Sequence, residues 1–170
     1  MFGDYDEYVL DYIIMELESK IYLSKEGLKK LKKELQVLKS KKELKTKEGA
    51  SSIPSQSIDS EYANFQEDLN FLEARIEEIE TILKKSLIIK KPPVHKRKII
   101  YLGATVTIEV DHQEDEFTIV GSIEANPVLG KISNESPVGM ALIGHSEGDA
   151  VKVQSAITTV YKIKKITYKI

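Results

Sequence analysis

The side chains that could do chemistry are few and scattered along this 170-residue sequence. Its three histidines, His95, His112 and His145, form no i, i+4 pair of the kind that holds zinc on a helix, and there is no cysteine. Acids between residues 59 and 80 are potential metal ligands, although carboxylates that flank a helical seam are usually solvated. No glycine-rich phosphate loop and no serine-hydrolase motif occurs. The sequence therefore predicts no self-contained active site and no cofactor or metal bound by the chain alone.

A group of five lysines is the second feature with chemical potential. The group consists of Lys39, Lys41, Lys42, Lys45 and Lys47. Two of these residues, at positions 42 and 45, occupy places where an apolar seam would otherwise continue. A protruding basic surface can contact a phosphate backbone, such as that of RNA. The alternative is a frayed and solvated helix end, and the sequence leaves both interpretations open.

Two long helices are predicted to carry these residues. The first begins after Ser24, whose hydroxyl suits an N-cap. Its apolar positions are Leu28, Leu31, Leu35 and Leu38, and those of the second helix are Tyr62, Phe65, Leu69, Leu72, Ile76, Ile79 and Leu83. Alternating spacings of three and four residues are typical of a coiled-coil seam. A segment rich in serine, with one glycine and one proline, separates the helices at 49–57, so an antiparallel hairpin is expected.

The distribution of charge favours the same pairing. Residues 25–47 contain ten lysines and three glutamates, whereas residues 59–80 contain eight acids and one arginine. Opposite charges beside a shared apolar seam favour two segments as partners. Most of these charges are therefore interpreted as the solvated flanks of a hairpin.

The second half of the chain has the pattern of a small sheet. The helical pattern ends at Lys90-Lys91-Pro92-Pro93, since proline cannot donate a hydrogen bond to a helix and disfavours helix before it. Pro137 suits the first turn of a short helix over 137–143. Strands are predicted at 98–101, 104–110, 116–121, 150–153 and 158–169. The predicted fold class is α+β, with an antiparallel coiled-coil hairpin followed by an antiparallel β-sheet that carries a short helix.

The expected domain boundaries follow from these patterns. They are an acidic amphipathic extension at 1–20, a hairpin at 21–90 with its tip at about 49–59, a linker at 91–97 and a sheet domain at 98–170. The first 20 residues carry six acids and one base, which is unlike a secretory signal, and no apolar run is long enough to span a membrane. A cytoplasmic location without a membrane partner is therefore expected.

Several segments together resemble the Gre family of transcript-cleavage and transcription elongation factors. The most specific ones are residues 119–127, 131–144 and 148–149, which resemble the family's C-terminal signature. Further matches occur at 24–31, 61–62, 73–76 and 102–106. The resemblance covers residues 22–170 and leaves the first 20 residues without a counterpart.

The resemblance implies a fold and a set of partners. The second domain should be FKBP-like and should dock on the rim of the secondary channel of bacterial RNA polymerase. The hairpin should then enter this channel and reach the 3′ end of the nascent RNA, which the five lysines would contact. In cleaving members, two acids at the tip help the polymerase to hold Mg²⁺ and a water, which becomes a better nucleophile beside the metal. A monomer that acts on the polymerase in trans is expected.

The tip departs from the family pattern at the catalytic positions. The family's loop reads Gly-Asp-x-x-Glu-Asn-Ala-Glu-Tyr, and its first Asp and first Glu are the catalytic acids. With Glu61-Tyr62 as the anchor, Ser55 stands in place of that Asp and Ile58 in place of that Glu. Serine is a weak magnesium ligand and isoleucine is none. Asp59 and Glu61 are the remaining candidates for a catalytic role.

Three functional hypotheses follow. The protein is a cleavage factor that uses Asp59 and Glu61, or a channel-binding regulator that does not cleave, or a prolyl isomerase or chaperone with a coiled-coil arm. The third is disfavoured because isomerase pockets are rich in aromatic residues, whereas the second domain has Phe117 as its one phenylalanine and no tryptophan. The tip residues favour the second hypothesis over the first.

A polymerase-docking surface is predicted at one loop. It consists of Asn134, Glu135, Ser136 and Pro137, where a helix started by proline would present polar groups outward. The simpler interpretation is that Pro137 only starts a helix, and the two interpretations are compatible.

Overall fold

A computed structural model describes residues 20–51, 58–110, 113–154 and 158–169. The described residues form two compact units. One comprises the described parts of Met1–Gly27 and Ser86–Ile170, and the other is Leu28–Lys85. The predicted acidic helix near the N-terminus lies outside the described residues.

The helical unit is an antiparallel hairpin, as the sequence predicted. Helix α1 spans Lys25–Ser51 and helix α2 spans Ile58–Lys85. Ion pairs join Glu34 to Arg75 and Lys45 to Asp68. Residue numbers rise along α1 while those of their partners fall along α2, so the two helices are antiparallel. The seam buries Leu31, Leu72 and Ile79, and Ile82 is buried beside the predicted seam position Leu83, which is itself half-buried. Burial of these side chains holds the two helices together.

The other unit is built on a five-stranded sheet. Its strands are β3 (Thr105–Val110), β4 (Gln113–Val120), β5 (Lys131–Ser133), β6 (Ala150–Gln154) and β7 (Thr158–Thr167), in the spatial order β5-β4-β3-β7-β6. Four of these strands match predicted ones, while the strand expected at 98–101 is reduced to a single bridge between Ile99 and Ser146. The α+β fold class is confirmed.

The sheet is mixed rather than wholly antiparallel. Strand β5 pairs with β4 in a parallel register. The ten residues between these strands contain two 3-10 turns, at Ser122–Glu124 and Pro127–Leu129, which return the chain to the starting side of the sheet. The expectation of antiparallel pairing throughout was therefore wrong at this edge. A strand of three residues is too short to show the period-two pattern by which strands are recognised.

Two further short strands form a pair of their own. Strand β1 (Ile21–Leu23) lies parallel to β2 (Ser86–Ile88), and they immediately precede α1 and follow α2 along the chain. Leu23 is fully buried, and its carbonyl accepts a 2.9 Å hydrogen bond from the Ile89 amide. No periodic signal in the sequence indicated this pair.

A short helix and one face of the sheet enclose the core of this unit. Helix α3 spans Pro137–Leu142 and begins with proline, as predicted. Its Leu142 is fully buried. The other large side chains that are almost fully buried in the sheet unit are Ile100, Val106, Ile108, Ile119 and Ile163. Within the part of the chain that the structure describes, no helix is both long and apolar enough to cross a membrane.

Candidate functional site

The predicted lysine group faces a row of acids on α2. Lys39 Nζ lies 2.6 Å from Glu80 Oε1, and Lys42 Nζ lies 2.7 Å from Glu73 Oε1. Lys45 forms a third ion pair, with Asp68, and its hydrogen bond is the main reason why the pKa of Asp68 lies below its usual value. Exposed ion pairs contribute only about 0–1 kcal/mol each. These lysines are thus matched within the hairpin, yet a polyanion could displace the acids at little cost.

An open cleft of about 420 Å³ lies beside these ion pairs. Ile76 of α2 provides an apolar wall. The α1 side chains that line the cleft are Lys39, Lys42, Glu43, Thr46 and Lys47. Three lysines against one glutamate make the α1 wall basic, while the acids paired with Lys39 and Lys42 moderate that charge. The cleft therefore suits an extended anion that can compete with carboxylates.

Arg75 joins the two helices at the middle of the hairpin. Its Nε and Nη2 atoms donate to Glu34 Oε1 at 3.0 and 2.8 Å, and Nη1 donates to Glu78 Oε2 at 2.7 Å. The hydrogen bonds to Glu78 and Glu34 raise the pKa of Arg75 above its ordinary value. Because the planar guanidinium engages both helices, it sets their register more narrowly than apolar contacts alone would.

The predicted catalytic positions fall at the margin of the described structure. Asp59 and Glu61 belong to the first turn of α2, but their side chains lie outside the described residues, and so do Ser55 and the side chain of Ile58. Among the residues that are described, no group of three or more histidines and acids could hold a metal ion. The predicted catalytic role of Asp59 and Glu61 stays a prediction.

The predicted docking loop has a defined internal geometry. The Ser136 hydroxyl donates to the Ser133 carbonyl at 2.7 Å and accepts from the Gly139 amide at 3.0 Å, so it caps α3. The Glu135 amide donates to Ser133 Oγ at 3.0 Å. A Cβ on Gly139 would come within 2.0 Å of the Ser133 carbonyl oxygen, so only glycine fits there. These hydrogen bonds and this close approach fix the backbone of the loop within the sheet unit.

The four predicted docking residues differ in accessibility. Glu135 and Pro137 are exposed, whereas Ser136 is half-buried. Asn134 is only 8% exposed, so it does not point outward as the sequence interpretation assumed. The backbone amide of Asn134 donates to the Val120 carbonyl at 2.9 Å, so Asn134 continues the pairing between β4 and β5. Glu135 and Pro137 are therefore the members of the loop that a partner can reach directly.

Glu124 is a positioning residue that the sequence analysis missed. Its carboxylate accepts from the Ser24 amide at 2.5 Å and from the Ser24 hydroxyl at 2.6 Å. The Ser24 hydroxyl in turn accepts from the Gly27 amide at 2.9 Å, which confirms Ser24 as the N-cap of α1. A Cβ on Gly27 would meet Glu124 Oε1 at 2.2 Å, so glycine leaves room for the acid. No local signal could reveal this contact across 100 residues of sequence.

Family comparisons cover both units. The N-terminal model of transcription elongation factors matches residues 21–88, and the GreA/GreB C-terminal model matches residues 95–168. The chain belongs to the GreA/GreB family of transcription elongation factors. The two matches follow one another in the order expected for that family and together span most of the chain.

Two relatives found by sequence are consistent with this membership. The transcription elongation factor GreA of Clostridium acetobutylicum is 41% identical over 145 residues, which is 82% of this chain and 90% of that protein. GreA of Thermomicrobium roseum is 47% identical over 94 residues, covering 55% of this chain and 60% of that protein. A crystal structure of the GreA factor homolog 1 (Gfh1) protein of Thermus thermophilus is 27% identical, with 87% of this chain and 99% of that chain covered and a TM-score of 0.39.

Proposed function

We propose that this protein binds bacterial RNA polymerase and inserts its helical hairpin into the secondary channel, where it acts on paused or backtracked complexes. The observation that carries the proposal is the match of both halves of the chain, in order, to the two halves of the GreA/GreB family. The relatives are named transcription elongation factors, and one of them is matched over 90% of its length. Any RNA hydrolysis would be the polymerase's own, stimulated in trans.

The length and the internal contacts of the hairpin support this proposal. Its helices contain 27 and 28 residues, and at about 1.5 Å per residue each extends roughly 40 Å. The buried seam and the Arg75 bridge hold the helices in register. The basic cleft of α1 would lie along the emerging RNA 3′ end, whose phosphates compete with Glu73 and Glu80 for Lys42 and Lys39.

The residues at the tip favour a regulator that binds without stimulating cleavage. Magnesium prefers carboxylate oxygens, and two acids hold it better than one. Ser55 and Ile58 replace both family acids, and the acids that remain, Asp59 and Glu61, follow Ile58 by one and three residues. If cleavage does occur, we expect Asp59 and Glu61 to share Mg²⁺ with the polymerase site. The sequence therefore favours a regulator that binds polymerase without stimulating cleavage over a cleavage factor.

A stalled, backtracked elongation complex with Mg²⁺ separates these two forms. We expect the added protein to slow nucleotide addition without shortening the RNA. Shortened RNA that is lost in Asp59→Asn and Glu61→Gln but kept in Glu67→Gln, an exposed acid further along α2, would establish cleavage instead. A protein that neither affects synthesis nor migrates with polymerase would refute the proposal as a whole.

The docking loop supplies a second test. Glu135 and Pro137 are exposed, whereas Ser136 caps α3. A change at Ser136 would therefore alter the stability of the domain as well as its affinity for polymerase. We expect Glu135→Gln combined with Pro137→Ala to weaken polymerase binding by about tenfold, while the loss of Pro137 at the start of α3 lowers the free energy of unfolding by less than about 1 kcal/mol. Asp115→Asn, on an exposed part of β4, is the control. Equal affinities of the double variant and the control would exclude this loop from the interface.

A further inference from the structure

Three large apolar side chains in the described part of the hairpin are exposed without belonging to its seam. They are Val37 and Leu44 on α1 and Phe71 on α2, with 58, 61 and 72% of their surface accessible. Tyr62 is also exposed but occupies a seam position. Single exposed aliphatic residues are common, whereas a phenylalanine that is nearly three-quarters exposed is costly to keep in water.

The three side chains lie on the side of the hairpin that carries the Glu34–Arg75 bridge, Val37 and Leu44 on α1 and Phe71 on α2. Val37 follows Glu34 by three residues, and Phe71 precedes Arg75 by four, so each is a surface neighbour of one partner in the Glu34–Arg75 bridge. Because the helices are antiparallel, Val37 and Phe71 both lie about one turn from the bridge in the same direction. Leu44 follows Val37 by seven residues, which is two further turns on the same face. We call these three residues the apolar strip.

The apolar seam of the hairpin does not account for the exposed position of Leu44. On the same half of α1, Lys42 and Lys45 occupy positions of the seam, and both side chains are half-buried. Leu44 lies between them in sequence and points outward with 61% of its surface exposed. Exchanging Leu44 with Lys45 would bury apolar surface and expose charge, which an isolated hairpin would favour. The arrangement is therefore opposite to the one that folding of the hairpin alone predicts.

The size of the strip indicates what kind of partner covers it. An aromatic side chain buries about 150–250 Å², and the three exposed fractions together amount to only about 300–400 Å². A stable interface between two copies needs about 800 Å² from each, so self-association through the strip alone is insufficient. An area this small can contribute only within a larger interface, to a partner that other parts of the protein also hold.

We propose that the apolar strip packs against an apolar surface on the wall of the polymerase channel that the hairpin enters. This inference rests on the proposed function, since that function places the hairpin flank against another protein. Phe71 is the central anchor, because a large rigid aromatic side chain loses little conformational entropy on binding and excludes water from neighbouring contacts. Val37 and Leu44 extend the same contact along α1.

Binding of Phe71→Ala, Val37→Ala and the wild-type protein to purified RNA polymerase tests the proposal. We expect Phe71→Ala to lose at least about tenfold in affinity and Val37→Ala to lose less. Phe71→Leu retains an apolar side chain and should stay within about threefold of the wild type. The matched control is Gln36→Ala, an exposed residue adjacent to Val37 that points away from the strip. Thermal unfolding should change little, since the Phe71 ring is mostly exposed.

Each alternative gives a different result. Equal affinity of Phe71→Ala and Gln36→Ala, with the wild type binding normally, would show that the apolar strip does not contact the polymerase. The proposed function would then still stand. No binding by the wild type would overturn the proposed function and this inference with it. A thermal midpoint that falls as far as for a buried residue would mean that the strip packs within its own chain. A concentration-dependent dimer in sedimentation, abolished by Phe71→Ala, would assign the strip to a second copy instead.

Discussion

Tyr168 links the last described residues of the chain to the loop before β3. Its hydroxyl donates to the Ile99 carbonyl at 2.6 Å and accepts from the Tyr101 amide at 3.0 Å. Burial raises the pKa of Tyr168 to about 12, so the hydroxyl remains a donor throughout the physiological range. These two hydrogen bonds occupy backbone groups that no strand pairing in the described sheet serves.

Tyr168→Phe is expected to lower the free energy of unfolding by about 1–3 kcal/mol. The ring still fills its site, but the Tyr101 amide loses the hydroxyl that accepts from it. Urea denaturation measures the change, and Tyr161→Phe, at a half-buried position on β7, is the control. A loss no greater than that of the control would show that water replaces the hydroxyl without penalty.

Glu109 is the clearest source of acid sensitivity in the sheet unit. Its carboxylate lies 2.6 Å from Lys164 Nζ and 3.4 Å from Lys162 Nζ. The hydrogen bond from Lys164 is the main cause that lowers the pKa of Glu109 below its ordinary value of 4.5. A lowered pKa means that the unfolded chain binds the proton more readily. The stabilisation is therefore complete above pH 4.5 and disappears as the pH falls through the lower pKa of the folded state.

Glu109→Gln should accordingly flatten the dependence of stability on pH in the acidic range. We expect the wild type and the variant to differ most above pH 4.5 and to converge below it. Thermal midpoints measured across this range would show the convergence. Asp115→Asn, on an exposed part of β4, serves as the comparison. A constant difference at every pH would mean that Glu109 acts through packing rather than through its charge.

At the scale of the element, the hairpin depends on its apolar seam more than on its many ion pairs. Ile79 is fully buried, whereas the side chains of the ion pairs Lys39–Glu80 and Lys42–Glu73 are each at least 40% exposed. Exposed ion pairs add little and weaken with salt. The seam therefore supplies most of the energy, and the charges select the partner and the register.

Ile79→Ala is expected to destabilise the hairpin by about 2–5 kcal/mol. Loss of helical circular dichroism on heating measures this effect, and Glu77→Ala, an exposed neighbour on α2, should change it by less than about 0.5 kcal/mol. Similar losses for the two variants would place the energy of the hairpin in its surface charges instead.

At the scale of the whole molecule, the sheet unit is assembled from distant parts of the chain. Residues before α1 and residues after α2 pair as β1 and β2, and the Glu124 carboxylate accepts a hydrogen bond from the Ser24 hydroxyl. A Cβ on Gly121 would come within 2.0 Å of the Tyr22 carbonyl oxygen, so β1 lies directly against the chain that leaves β4. The sheet unit is thus completed only when residues about 100 positions apart meet.

Gly121→Ala should therefore destabilise the sheet unit by about 1–3 kcal/mol, because the backbone of β1 has to move away. Chemical denaturation followed by tyrosine fluorescence would measure this loss. Ser122→Ala alters the exposed neighbouring side chain and is the control. A Gly121→Ala protein as stable as the control would mean that β1 tolerates displacement.

Several structural elements could be predicted from local sequence patterns. The spacing of Leu72 and Ile79 predicted the seam, Ser24 predicted the start of α1, and Pro137 predicted the start of α3. These features depend on neighbours within about one helical turn, so a single stretch of sequence contains all the information needed. The family signature extended the prediction to residues 21–88 and 95–168, because it matched both units.

Other features depended on residues that are far apart. Three such features arise where separate segments meet. They are the burial of Asn134, the parallel edge strand β5 and the hydrogen bond from Ser24 to Glu124. The same is true of the pairing of Lys39 and Lys42 with acids of α2 and of the outward position of Phe71. The sequence by itself determined which segments are helical and that an apolar seam joins the two long helices, because periodicity is local. Only the tertiary structure decided which polar groups are buried and which apolar ones are exposed, because that outcome depends on what packs against each side chain.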